Sequence, residues 1–445
     1  MKQRFGRVRA VLTVLVACGV LAGGIADGAQ ATAAGAPTLR RFDAVPVAPG
    51  VAYGEFRMTV PRGIVHGHLL TVDLANPRVS VDLLYPGAVG ARAPVSQLAA
   101  ERGVVGAVNG DFFNITETQH PGVQATGASV GPAVASGRQL KGAVPDGQRF
   151  GPVMPPGAST EDVIGVGYNR RARLDRLTLR GAVLAGEGAL PLRGLNQYAL
   201  PVDGVGAYTA QWGPASRVRA ICGTDTDRAA PCSTDTAEVT VRHGRVTALQ
   251  DLPGAGGVAA GSVVLVGREE GARQLRKLHI GEPVGVGHRL FGRGPGPLRF
   301  AVGGFPIVRD AEPVAGLDTV AVAVRTSAGI GAGGRVLYLM ALDGAPGQGQ
   351  TGLTVRELAD VMLQLGAREA MNLDGGGSST LVTGDGYGHE VTVRNHPSGG
   401  AERPVANAIG VFSPRVSGPG PAGAERPGQA SATVRAPAVR IRPKA

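Results

Sequence analysis

The stretch that decides the reading is TVRELADVMLQLGAREAMNLDGGGSSTLV, residues 354–382. Val355, Leu358, Ala359, Met362 and Leu365 recur at three- and four-residue spacing, one apolar face of a helix. Thr354 with Glu357 makes a capping box at its start, and Gly366 marks its end. A short apolar run then reaches Asp374, and three glycines follow, Gly375, Gly376 and Gly377. Consecutive glycines weaken a strand, so this loop keeps backbone exposed for another purpose. Its N–H groups can face an anion, and Ser378 and Ser379 add hydroxyl donors. A tight turn capped by the Asp is the plainer alternative. A nucleotide P-loop is excluded, because no Gly-Lys-Ser/Thr follows and the glycines open no helix.

Working outward, RVLYLMALDG (335–344) reads as a buried strand ending at Asp343. VVGAVNGDFFN (104–114) reads as another, ending at Asp111. Acidic residues are poor strand formers and good site residues, and paired carboxylates serve glycosidic hydrolysis or bind a hard cation such as calcium or magnesium. Whether a metal is required stays open. Asn109 and Asn372 each precede an Asp by two positions, which strand alternation would put on a shared face. Arg325 leaves the strand TVAVAVRTSAGI (319–330), where a guanidinium could grip a phosphodiester. Asn395, Ser398, Arg403 and Asn407 lie in a polar loop near the end. His66 and His68 alternate in a strand and read as surface residues; His396 is a weaker candidate for touching substrate.

The fold class expected is α+β: a mixed β-sheet core with a few packing helices, a β-rich middle region and a disordered C-terminal tail. Residues 1–33 read as a signal peptide, with a basic start and the apolar run VLTVLVACGVLAGGIA. A lipoprotein anchor through Cys18 is the alternative. A linker at 34–50 and an N-terminal β segment at 51–94 follow. A main domain spans 95–413, in which 161–295 is β-rich and 296–413 is densest in motifs. Ser96 is a possible cap for a short helix at 94–102. The basic tail occupies 414–445.

The chain of 445 residues carries a formal net charge of +11. Most of it sits in the first ten residues and the tail, not on a folded face, and aromatic residues are only 4%. That argues against nucleic-acid binding. No transmembrane span is expected in the mature chain. Export would leave Cys222 and Cys232 in an oxidising compartment, where a local disulfide is expected, two free thiols being the alternative.

Taken together, VNGDFFN, VGGFPIV, VRTSAGI, ALDG, NLDGGGSST and NHPSGGAERPVANAIGVF resemble the phosphodiester glycosidase family. The resemblance runs from about residue 95 to 413. It implies hydrolysis of a sugar-1-phosphodiester or a related exopolysaccharide or cell-wall glycan bond. Catalytic candidates are then Asp374, Asp343, Asp111 and Arg325. Substrate contacts would come from Asn109, Asn372, Gly375–Gly377, Ser378, Ser379, Asn395, Ser398 and Arg403. One departure is RDAEP (309–313), where the family commonly has an Asp-Gly turn. A non-catalytic polysaccharide-binding protein and a metal-dependent phosphodiesterase remain alternatives.

Overall fold

The computed structural model describes residues 38–186, 188–344 and 352–414. The signal segment, Cys18, the start of the linker and the tail from residue 415 lie outside the described residues. Strands dominate, and three α-helices are described: Val95–Arg102, Glu270–Leu275 and Val355–Leu365. Among the described residues no helix is long and apolar enough to cross a membrane.

The largest sheet has nine strands. At its centre Thr326–Ile330 runs antiparallel to Val336–Leu342 on one side and Glu369–Asn372 on the other. Those two neighbours therefore run parallel to each other. Gly63–Asp73 pairs with Val336–Leu342, setting His68 opposite Ala341. The boundary at residue 94 thus does not separate two bodies, since the N-terminal β segment supplies strands of the main sheet. Part of the linker is also sheet: Thr38–Arg41 and Val45–Ala48 both pair with Val51–Val60. Its Pro/Ala composition disguised two strands at the rim, the place where a Pro is tolerated in a sheet.

Helix Val355–Leu365 forms as its caps predict. Thr354 and Glu357 complete the capping box, and Gly366 is left-handed at φ 104°. The helix packs on one face of the central sheet. Gly329 permits the contact, because a Cβ there would lie 2.4 Å from Met362 Cε and 2.9 Å from Ala367 Cβ. The first helix differs from its reading. Pro94 occupies the cap position, and the backbone N–H of Ser96 instead donates to Glu402 Oε2 at 3.0 Å.

A five-stranded sheet contains Gly106–Asn109 between Leu381–Gly384 and Ala408–Phe412. The middle region is β-rich as expected: Asp162–Gly167, Ala172–Ala185, Thr236–Arg242, Ser262–Arg268 and Val284–Gly292 are all strands. Leu298–Gly303 connects it back toward the centre, pairing with Asp162–Gly167.

One consequence of this topology positions the acids. Asp343 follows the last residue of Val336–Leu342, and Asp374 stands two residues beyond Glu369–Asn372. Both leave the same end of parallel strands. Arg325 precedes the intervening antiparallel strand and so lies at that end too. Asp374 N–H donates to Gly110 O at 2.9 Å, which brings Asp111 of the second sheet to the same place.

Candidate functional site

The glycines beside Asp374 have three separate reasons. A Cβ on Gly375 would fall 2.5 Å from Val324 O, so that position is closed by backbone. Gly376 is left-handed at φ 60° and faces open space. A Cβ on Gly377 would fall 2.4 Å from Arg403 Nη2. The missing side chain is thus the room in which the guanidinium lies, with Arg403 Nη1 3.3 Å from Ser378 Oγ.

Asp374 is partly open to solvent but closely walled by protein. Burial pushes its carboxyl up to about 7, against the Ser378 hydroxyl bond, the Arg403 charge and the Gly375 N–H, while the Asp111 charge adds to the rise. Asn109 supports the turn from below. Its Nδ2 donates to Asp374 O at 2.7 Å, and its Oδ1 accepts from Thr380 N at 3.0 Å and Thr326 Oγ1 at 2.9 Å.

Asp111 is buried beside this turn. Its Oδ2 accepts from Gly131 N at 2.6 Å, while its Oδ1 has no hydrogen-bond partner. Its N–H donates to Asn407 Oδ1 at 3.0 Å. Gly303 leaves space for the carboxylate, since a Cβ there would be 2.5 Å from Oδ2. Two cations act on it, Lys141 and Arg149. Burial drives the Asp111 carboxyl up and the Lys141 amine down, and each group's charge opposes the other's shift. Lys141 Nζ also donates to the carbonyls of Val130, Gly131 and Gly142.

Arg149 lies 5.3 Å from the Phe112 ring and 5.6 Å from the Phe305 ring. The disulfide loop holds its segment. Cys222 and Cys232 are bonded, as expected. Within the loop they close, Asp225 O accepts from Gly147 N at 2.9 Å, and Arg228 Nη1 donates to Arg149 O at 2.7 Å.

Asp343 has different company. Its Oδ1 lies 2.9 Å from His68 Nε2 and 3.2 Å from His396 Nδ1, and accepts from His396 N–H at 2.7 Å. His68 Nδ1 is 2.8 Å from Tyr53 Oη, which donates to Glu55 Oε1 at 2.9 Å. Burial alone would raise the Asp343 carboxyl, but hydrogen bonds from His68 and His396, with the His68 charge, hold it below the usual range. With one strand between them, Asp343 and Asp374 stand two strand spacings apart, on the order of 10 Å.

Several expectations change here. His68 is buried and bonded to Asp343, because its strand is covered on that face. Arg325 is buried, with Nε donating to Leu353 O at 2.9 Å and Nη2 to Ala321 O at 2.7 Å. It ties two loop carbonyls to the sheet end. Alternation sets its side chain on the helix face, opposite Thr326, which reaches Asn109. Asn372, opposite Ser327 in register, shares that helix face, and neither atom of its amide has a hydrogen-bond partner. Asn395 is a strut: Oδ1 accepts from Leu381 N at 2.8 Å, and Nδ2 donates to Ser379 O at 2.9 Å and Leu342 O at 3.2 Å. Ser379 is buried 3.0 Å from Thr326 Oγ1. Ser398 packs against Gly344, where a Cβ would lie 2.5 Å from its own. The structure therefore gathers Asp111, Asp374, Ser378 and Arg403, adds Lys141 and Arg149, and sets Asp343 beside them with a separate shell. Lys141 and Arg149 carried no local signal, beyond lysine being scarce in this chain.

Among the described residues, one group of three His, Cys, Asp or Glu side chains is close enough to share a metal: His120, Cys222 and Cys232. Its two sulfurs are already joined as the disulfide. The strand-end acids form no such group.

Residues 235–412 match the family model of phosphodiester glycosidase. The matched range takes in Asp343, Asp374 and Arg403 but not Asp111, Lys141 or Arg149. No curated protein matches the sequence. Among solved structures, a hypothetical protein from Synechocystis aligns at TM-score 0.64 and 21% identity, over 85% of this chain and 64% of that one. A Burkholderia pseudomallei protein described as exported aligns at TM-score 0.64 and 20% identity, over 84% and 96%. Both show a shared fold. The chain spans about two thirds of the Synechocystis protein's length. The catalytic domain of zebrafish N-acetylglucosamine-1-phosphodiester alpha-N-acetylglucosaminidase, auto-inhibited by its pro-peptide, aligns at TM-score 0.41 and 15% identity, over 85% and 88%.

Proposed function

We propose that this protein is a secreted hydrolase that cleaves the bond between an anomeric carbon and a phosphodiester oxygen in a phosphorylated glycan or cell-wall polysaccharide. One observation carries the reading. Two carboxylates at the same end of parallel strands are driven in opposite directions, and the raised one sits beside Arg403 over a loop without side chains. Carboxylates tuned apart in this way are the means by which one site holds an acid–base group and a fixed negative charge together.

In this reading Arg403, Ser378 and the Gly377 N–H receive the phosphate, the Gly375 and Gly376 N–H groups being held by Asp374 Oδ1 and Val324 O. Asp374, with a proton affinity near neutrality, takes a proton from the attacking water. The water oxygen bonds to the anomeric carbon as the carbon–oxygen bond to phosphate breaks. The leaving group departs as a phosphomonoester anion and needs little protonation. Asp343, held ionised by His68 and His396, opposes the positive charge that develops on the sugar ring. Asp111, buried with one oxygen free, orients a water beside the turn. Export is supported by the amino-terminal segment and by the disulfide.

The test is turnover of a para-nitrophenyl phosphodiester of an amino sugar in heavy-oxygen water, with and without a chelator. Label in the released sugar and indifference to chelator support the reading. Label in phosphate, with activity lost to chelator, supports a metal-dependent phosphodiesterase instead. Binding of phosphorylated glycans without turnover of any supports a non-catalytic binding protein.

A further inference from the structure

A cavity of about 660 Å³ lies away from the acids, beside the strand Val284–Gly292. Its floor is apolar, including Val134, Leu177 and Leu290, and its rim carries Tyr168 and Phe291, exposed by 61% and 41%. Such a surface of exposed rings beside buried aliphatic side chains suits the faces of sugar rings.

The charges carried beside this cavity need an explanation. Arg289, which lines the cavity, stands directly opposite Arg180 in the strand ladder. Both guanidinium groups lie over the Phe291 ring, at 5.3 Å and 5.1 Å. Like charges directly opposite each other destabilise a strand pair. Among the described residues neither Arg has an acidic partner within ion-pair distance, whereas the neighbouring Arg173 is paired with Asp175 at 2.9 Å. Set beside the apolar floor of this cavity, the two uncompensated guanidinium groups on one ring offer an anion receptor next to a surface for sugar rings, and that floor is what distinguishes them from the like pair over Phe42.

The groove is connected to the acids by one strand. Leu298 lines the cavity, and Gly303 at the other end of Leu298–Gly303 abuts Asp111. Along this buried strand the separation is roughly 15 Å, longer than a single sugar.

We propose that this groove is an accessory subsite for the distal part of a phosphate-bearing polysaccharide whose scissile end reaches Asp374. The proposal rests on the hydrolase reading for its second half, and the test separates the two. Binding of phosphomannan and of unphosphorylated mannan is measured on the full chain carrying Asp374→Asn, so that nothing is cleaved. The groove pair Arg180→Gln with Arg289→Gln is compared with Arg40→Gln plus Arg57→Gln. The comparison pair removes equal charge from an equivalent arrangement, opposite one another and over Phe42 at 5.5 Å and 5.3 Å, away from the groove.

The expected result is a loss of about tenfold in phosphomannan affinity for the groove pair and little change for the comparison pair, with mannan bound weakly by both. In the otherwise native chain, the groove pair should leave turnover of the small para-nitrophenyl substrate unchanged. Equal losses in both pairs would mean that net charge alone attracts the polymer, and would overturn the proposal. So would undiminished binding by the groove pair, or equal affinity for mannan. If the native chain turns over no small substrate while phosphomannan binding still depends on Arg180 and Arg289, the hydrolase reading fails and the groove stands.

Discussion

Asp374 and Asp343 occupy equivalent places, each just past the end of a strand in the same sheet, yet their surroundings drive them apart. Asp374 sits on a glycine turn, where burial outweighs its donors and raises it to about 7. Asp343 meets two histidines and a backbone N–H, which outweigh burial and lower it. Position in the fold therefore does not set the protonation state of a carboxylate. The balance between burial and the donors that reach it does, and for Asp343 those donors come from His68 and His396, far along the chain.

The strongest way to break the comparison is Asp374→Asn. It keeps the shape and removes the titrating group. Turnover should fall by at least about a hundredfold, the scale of acid–base assistance, with circular dichroism unchanged. Activity near that of the native chain would remove Asp374 from the chemistry.

A second change addresses the same corner from outside. Replacing Cys222 and Cys232 together by Ser opens the loop that holds the Arg149 segment. Urea unfolding should show a loss of about 2–3 kcal/mol for a loop of this size. Because the loop's contacts converge on Gly147 and Arg149, activity should fall further than the unfolded fraction explains. The Asp343 corner has no contact with this loop, so its acid titration should be unchanged.

Asp343→Asn acts on the other corner. It leaves buried His68, and exposed His396, facing an amide in place of a charge. A destabilisation of about 1–3 kcal/mol is expected, the usual cost of spoiling a buried hydrogen-bond partner. Urea titration checks it. No measurable loss would mean that the histidines find other partners.

Much of this was legible in the sequence and part was not, for identifiable reasons. Helix Val355–Leu365 carried both of its caps locally, and NLDGGGSST marked a turn with exposed backbone. The orientation of Arg325 was hidden because its strand is covered on both faces, by the helix and by the second sheet. The strand expected at 319–330 begins only at Thr326, and the apolar run before it is loop, with Val320 and Val322 exposed, so VAVAV misplaced the strand and gave no guide to where Arg325 points. His68 looked like a surface residue because its partner lies 275 positions away. Lys141 and Arg149 sit in a Gly/Pro-rich segment, where neither spacing nor composition indicates what a side chain will meet.

One measurement separates the two carboxylates most cleanly: the dependence of stability on pH. A carboxyl raised in the folded state holds its proton there after the unfolded chain has released it. For Asp374, shifted from 3.8 to about 7, the stability it contributes is fully present below about pH 4 and is lost as pH climbs toward 7. Asp343 has the opposite sign. Its folded form releases the proton first, so its contribution is present above about pH 4 and is lost on further acidification. Urea midpoints measured across this range should therefore show a declining limb on the neutral side that Asp374→Asn flattens. An acid-side loss should be reduced by Asp343→Asn and left in place by Asp374→Asn. If both substitutions flatten the same limb, the two carboxylates titrate as one coupled unit, and the division of roles between them does not hold.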